Sequence, residues 1–140
     1  MVSASGNVAS NLVGVWRLVA AKATDENGKP ATPPYGPRGI GLVALSADGR
    51  MTNVLVDGRA DLPAGAKREH GSYCGQWTFD GSTLVTKVDA ALDPARMGTE
   101  QVRKVRFEGE RMILTPPPLE VNGVKVTREL TWEKISPISL

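Results

Sequence analysis

The sequence predicts an all-β protein, a closed antiparallel up-and-down β-barrel of about eight strands with at most one or two short helical turns. Turn-forming dipeptides recur along the chain, and the segments between them have strand length and are rich in Val, Leu, Thr and aromatic residues. Asn-Gly and Asp-Gly tolerate the positive φ angles of tight hairpins. Consecutive hairpins in so short a chain favour a barrel, which has no exposed sheet edge. A two-sheet sandwich is the alternative.

Five dipeptides mark the turns: Asn27-Gly28, Asp48-Gly49, Asp80-Gly81, Glu108-Gly109 and Asn122-Gly123. The strands are predicted at residues 12–23, 39–46, 50–57, 72–79, 83–90, 99–107, 111–115 and 125–134. Prolines fall outside these segments, as expected for residues that cannot donate to a ladder.

One helical turn is predicted between the fifth and sixth strands. Asp93 is a typical N-cap residue, and Pro94 suits the first helical position. Gly98 disfavours a longer helix, so we expect a single turn followed by a strand.

Alternation along each strand assigns side chains to the interior. The predicted inward set is Leu12, Trp16, Leu18, Tyr73, Trp77, Phe79, Gln101, Arg103, Val105, Phe107, Arg128, Leu130 and Trp132. The two inward arginines need partners, because an unpaired buried charge is costly. We expect Arg128 to stack over Trp16 or to meet a ligand anion. Arg103 is expected to pair with Glu100 or Asp89, to be solvated, or to meet a ligand.

Length and composition restrict the class of protein. With 140 residues, the chain is expected to form one domain over residues 1–140, with an ordered core at about 12–134. Cys74 is the single cysteine and His70 the single histidine, so neither an internal disulfide nor a zinc or other metal site is predicted, and no cofactor is expected.

Charge and hydropathy indicate which classes of partner the protein is expected to have. The net charge is +2 with interspersed signs, which argues against nucleic acid. No apolar run approaches the ~18 residues of a membrane span, and the first ten residues lack the pattern of a secretory signal. We therefore expect a cytoplasmic protein without membrane contact, acting on a small organic ligand or substrate. A homodimer is a possible assembly.

Several segments carry a family resemblance. Gly14-Val15-Trp16 resembles the G-x-W first strand of lipocalins. Further matching segments are Tyr35-Gly36-Pro37, 41–51, 88–94, Gly98-Thr99-Glu100-Gln101-Val102-Arg103 and Leu130-Thr131-Trp132-Glu133. Together they look like the bacterial and fungal lipocalin-like domain family, and the resemblance covers about residues 12–134. It implies a calycin-type small barrel more firmly than it implies a reaction.

The polar candidates form two groups. His70 precedes an inward aromatic strand, where it and Tyr73 could transfer a proton at the barrel mouth. Asp89 and Glu100 could orient Arg103 toward an anionic or carbonyl group. The candidate catalytic residues are therefore His70, Tyr73, Asp89 and Arg103. The alternative is a solvated histidine and a structural ion pair.

Three functions stay open from the sequence. The first is binding of a small, largely apolar molecule inside the barrel. The predicted ligand-binding residues are Trp77, Phe79, Tyr35, Gln101, Arg128 and Leu130. The second is a cofactor-independent isomerase, cyclase or lyase acting on a small organic substrate of secondary or degradative metabolism. The third is a structural or interaction module with a filled interior, and an open cavity distinguishes it from the other two.

Overall fold

The predicted turns each join two antiparallel strands, and the glycine of each dipeptide has a positive φ. In a computed structural model, which describes residues 9–137, these hairpins form one closed barrel of eight antiparallel strands. The barrel strands are β1 (Gly14–Asp25), β3 (Gly39–Leu45), β4 (Arg50–Asp57), β5 (His70–Phe79), β6 (Thr83–Ala91), β7 (Glu100–Glu108), β8 (Arg111–Thr115) and β10 (Val124–Ser136). The all-β barrel prediction is confirmed, and the sandwich alternative is wrong.

Two short strands were not predicted. β2 (Pro30–Ala31) pairs with the end of β1, and β9 (Leu119–Val121) pairs with the start of β10. Both contain or follow prolines, which predict turns rather than strands. Proline is tolerated on such edges because its missing N–H faces away from the ladder.

The barrel closes through β1 and β10. Trp16 lies opposite Lys134, and Ala23 lies opposite Arg128 near the other end of the pair. The strand pairs then follow in chain order from β3 to β8, and β8 pairs with β10.

One end of the barrel is capped by the chain before β1. Ala9 and Ser10 are helical, and Leu12 lies in the following turn rather than in the predicted strand. Ala9 and Leu12 are buried in the core, and the indole of Trp16 donates to the Leu12 carbonyl oxygen at 2.9 Å. We call this the capped end and the opposite one the open end.

The interior of the capped half is filled by side chains of the chain itself. Its largest buried members are Leu12, Trp16, Leu45, Trp77, Phe79 and Met112. The predicted inward faces are therefore mostly confirmed. Phe107 is an exception, because it lies beside the β7–β8 hairpin and is 41% exposed.

The predicted stacking of Arg128 over Trp16 is wrong. The ammonium of Lys134 lies 5.0 Å from the centre of the Trp16 ring instead. The β1–β10 register explains this, because it pairs Trp16 with Lys134, and Arg128 lies six residues away along β10, a distance of about 20 Å in a strand.

The predicted helical turn is confirmed as a 3₁₀ helix at Pro94–Arg96 between β6 and β7. The Asp93 carboxylate accepts from the Ala95 N–H at 3.0 Å and caps it. Among the described residues, no helix is long and apolar enough to cross a membrane.

A buried ion pair fixes the long loop between β4 and β5. Asp57 has a side chain that is only 2% exposed, and the Arg59 guanidinium holds both of its carboxylate oxygens, with a shortest distance of 2.6 Å. Arg68 donates to the backbone oxygens of Asp57 and Arg59 at 2.7 and 2.6 Å. The hydrogen bonds from Arg59 hold the pKa of the Asp57 carboxyl below its usual value.

Asp57 should make stability depend on acid. Because its pKa is lower in the folded state, its contribution is complete above the unfolded pKa of about 4 and is lost as the pH falls through the folded value. We expect Asp57→Asn to lower the melting temperature at pH 7 and the gap from the native protein to shrink below about pH 4. Asp61→Asn, at an exposed position in the same loop, is the control and should change little. A gap that stays constant down to pH 2 would contradict this account.

Gly14 should be irreplaceable at the start of β1. It has φ of +139°, and a Cβ there would collide with the backbone oxygen of Ser136 on β10. We expect Gly14→Ala to lower the free energy of unfolding by at least about 2 kcal/mol. Gly28→Ala is the matched control, because φ is +82° but nothing lies within 4 Å of the added Cβ. Equal losses in urea denaturation of the two variants would show that the close approach to β10 is unimportant.

Candidate functional site

A cavity of about 110 Å³ lies in the open half of the barrel. Its apolar wall consists of Val43, Met51, Leu55, Leu84, Leu114, Leu130 and Trp132. Its polar wall consists of Tyr35, Asn53, Glu69, His70, Tyr73, Arg96, Arg103 and Arg128. An engineered apolar cavity of about 150 Å³ in another protein holds a benzene molecule. The space here is smaller than that, so it suits at most one ring or a short branched chain, and the rest of the ligand would extend through the mouth.

A wider depression of about 1240 Å³ lies at the capped end. Many of its wall residues are polar or charged, such as Glu108 and Glu110 at the β7–β8 hairpin and Glu133 on β10. The ring of Trp16, one of its aromatic members, is already covered by Lys134. Because this depression is wide and open to solvent, the smaller and more enclosed cavity is the better candidate site.

Arg103 is the most constrained polar group of the cavity. β7 directs it inward, and its guanidinium donates to the Val102 carbonyl oxygen at 2.7 Å and to Gln101 Oε1 at 3.4 Å. Desolvation by burial lowers its pKa, although an arginine stays charged at neutral pH. Neither Glu100 nor Asp89 pairs with it, so those two predicted ion pairs are wrong.

Arg96 reaches the same cavity from the 3₁₀ turn. Its guanidinium carbon lies 5.5 Å from the centre of the Tyr73 ring, a cation–π distance. Arg128 enters from β10 at the open end. Three cations from three separate elements thus line one small space.

Tyr35 lies at the mouth in an unusual backbone conformation. Its φ is +66°, and its backbone N–H donates to Glu69 Oε1 at 2.6 Å. A Cβ on Gly71 would lie 2.8 Å from the Tyr35 hydroxyl, so the absence of a side chain on β5 makes room for the phenol. Burial is the main cause that raises the Tyr35 pKa, and Arg96 opposes it. A bulky residue with positive φ costs about 1–3 kcal/mol and is found most often at functional sites.

Two further polar groups line the cavity below the mouth. Asn53 is buried on β4, and its Oδ1 accepts from the Tyr73 backbone N–H at 3.1 Å. Trp132 is buried on β10, and its indole N–H has no hydrogen-bond partner among the described residues. A buried donor without a partner is uncommon in folded proteins.

The structure brings together six of the residues that the sequence singled out: Tyr35, His70, Tyr73, Arg103, Arg128 and Leu130. His70 lies exposed at the rim as the first residue of β5, rather than in the preceding loop. The catalytic and binding roles of these residues stay predictions.

Four predicted residues lie elsewhere. Asp89 is on the outer surface, because Val88 occupies the inward position of β6, and its carboxylate pairs with Arg50 at 2.8 Å. Trp77 donates to the Ser46 carbonyl oxygen in the filled half, near Phe79. Gln101 supports Arg103 through its amide oxygen but does not line the cavity.

Sequence reasoning missed Arg96, Asn53 and Glu69 as cavity residues. Alternation along β4 was a usable signal for Asn53, which has the same parity as the inward Met51 and Leu55. Arg96 and Glu69 lie in a turn and a loop, where no periodicity assigns a direction.

The family model of a lipocalin-like domain matches residues 59–135, more than half of the chain. The chain belongs to the lipocalin-like domain family. The matched segment of this lipocalin-like barrel contains all three cavity arginines and both Tyr73 and Trp132. No curated protein and no solved structure gives a significant match.

Proposed function

We propose that this lipocalin-like barrel binds one small, largely apolar molecule in the cavity of its open half. The observation that carries the proposal is the contrast between the two halves. The capped half is filled by its own large side chains, whereas the open half has a cavity with an apolar wall and a polar mouth. Eight-stranded barrels commonly hold one small ligand in this way.

The arrangement of the wall indicates how such a molecule would lie. The buried Leu84, Leu130 and Trp132 would contact the apolar part, which gains about 25 cal/mol for each Å² removed from water. Tyr35 and His70 at the mouth would contact the polar part, where water also has access.

A cofactor-independent isomerase, cyclase or lyase is the second candidate. It is favoured by the presence of His70, Tyr73 and Arg103 in one cavity, because proton transfer next to a fixed cation is suited to an enolisable substrate. Asp89 has no part in this candidate, since it lies on the outer surface.

Native mass spectrometry of freshly purified protein, compared with the denatured mass, tests the proposal. A small organic molecule that leaves on denaturation supports a ligand cavity. The released molecule is then returned to the stripped protein. Its recovery unchanged supports binding, and its conversion to an isomer or fragment supports the enzyme.

Filling part of the cavity should weaken binding. Leu114 is 7% exposed beside the mouth, and we expect Leu114→Phe to occupy part of the roughly 110 Å³ and to reduce affinity for a cavity ligand at least tenfold. Leu42→Phe is the matched control on the outer face of β3, where Leu42 is 46% exposed. Titration of tryptophan fluorescence with the released molecule provides the affinities, and circular dichroism checks the fold. Unchanged affinity in a folded Leu114→Phe protein would place the ligand elsewhere.

The effect of replacing His70 distinguishes the two candidate functions, binding and catalysis. If the protein is an enzyme that uses His70 for proton transfer, His70→Ala should lower turnover of the released molecule at least a hundredfold. If the protein only binds, the same variant should retain affinity within about threefold, because His70 is exposed at the rim and water can replace its contact with the polar part of the ligand. Full turnover in His70→Ala would remove His70 from the catalytic role.

A further inference from the structure

We propose that the cavity selects an organic anion, and that the carboxylate of a small monocarboxylic acid lies between Arg96, Arg103 and Arg128. This inference rests on the proposed binding function and adds the chemical class of the ligand.

The cavity contains positive charge that the protein does not neutralise. Glu69 is the one acidic residue of the cavity lining, and its Oε1 accepts from the Tyr35 backbone N–H. Among the described residues, none of the three cavity arginines forms an ion pair.

Arginines outside the cavity show the contrast. Four of them have a carboxylate partner within 2.8 Å: Arg17 with Glu133, Arg50 with Asp89, Arg59 with Asp57, and Arg106 with Glu129. Among the described residues, Arg38, Arg68 and Arg111 outside the cavity also form no ion pair, but they do not share one small space as the three cavity arginines do. Burying a charge without a partner is costly, and an anion that enters the cavity would remove that cost.

The Arg103 guanidinium has N–H groups that make no hydrogen bond with the described part of the chain. A guanidinium carries five N–H groups, and the two hydrogen bonds that Arg103 donates go to one backbone oxygen and, at 3.4 Å, to one amide oxygen. A carboxylate accepts two parallel hydrogen bonds from such a fork, and these charge-assisted bonds are stronger than neutral ones.

The three arginines are held by different parts of the fold. The capped 3₁₀ turn and the Tyr73 ring position Arg96, while β7 and β10 position the other two. A site built from separate rigid elements is preorganised for its ligand. The Tyr35 phenol is protonated at neutral pH, as any tyrosine with an unshifted or raised pKa is, so its hydroxyl is a neutral donor at the mouth.

The size of the cavity restricts the acid. About 110 Å³ has room for one ring at most, with its polar group toward the mouth, and the apolar wall of leucines, Val43 and Met51 favours a hydrocarbon body. Benzoate is therefore the probe, and benzamide is its neutral counterpart of nearly the same shape.

The test compares the two probes by isothermal titration calorimetry at low salt. We expect benzoate to bind at least about tenfold more tightly than benzamide, and the preference to decline with added salt. Arg103→Gln should lower benzoate affinity about tenfold and leave benzamide affinity within about twofold. Arg106→Gln is the matched control on the outer face of the same strand and should leave both affinities unchanged. Arg128→Gln repeats the test at a second position if Arg103→Gln fails to fold.

Each other outcome has a defined meaning. Equal affinity for benzoate and benzamide would overturn the anion inference and leave the proposed apolar binding intact. Sulfate that displaces benzoate at equal concentration in the same titration, where chloride of equal ionic strength does not, would also overturn it, because the apolar wall would then contribute nothing. Binding of neither probe, nor of hexanoate and hexanamide, would overturn the inference together with the proposed function.

Discussion

The pairing of β1 with β10 is the contact on which the rest of the structure depends. It joins the two ends of the strand order and leaves none of the eight barrel strands with an open edge. Gly14 makes the pairing possible, since a side chain there would collide with the backbone of β10. The register of this pair then directs Trp16 and Lys134 to the capped end and Arg128 to the open end. The register therefore decides which of these side chains face the capped half and which face the cavity.

The two halves satisfy their polar groups differently. In the filled half, the indoles of Trp16 and Trp77 donate to backbone oxygens at 2.9 and 3.1 Å. In the open half, the indole N–H of Trp132 has no hydrogen-bond partner among the described residues. The three cavity arginines there form no ion pair with a carboxylate of that part of the chain. Sequences that fold well satisfy buried polar groups, and departures concentrate where function requires them. The site proposed for an anion thus coincides with the least satisfied part of the barrel.

Short-range patterns in the sequence predicted most of the fold but only part of the site. Turn dipeptides and period-two alternation depend only on neighbouring residues. They therefore predicted the eight barrel strands and the inward orientation of Arg103. Which strands meet across the closure, and in what register, depends on contacts between residues more than a hundred positions apart. The expected stack of Arg128 on Trp16 failed for that reason. The pairing of Asp89 with Arg103 failed because alternation on β6, fixed by the inward Val88, already turns Asp89 outward.

The three cavity arginines, which have no carboxylate partner among the described residues, would also link the stability of the barrel to ligand binding. A fold selected for stability alone would gain from replacing a partly buried arginine with an apolar residue of similar size. Arg96, Arg103 and Arg128 stand in one cavity, so their mutual repulsion adds to the cost of desolvating each guanidinium. The buried Asp57–Arg59 pair beside the same open end shows that this chain can supply a carboxylate where an arginine needs one. A ligand carboxylate would relieve repulsion and desolvation together, so binding and stability would be linked through the same three side chains.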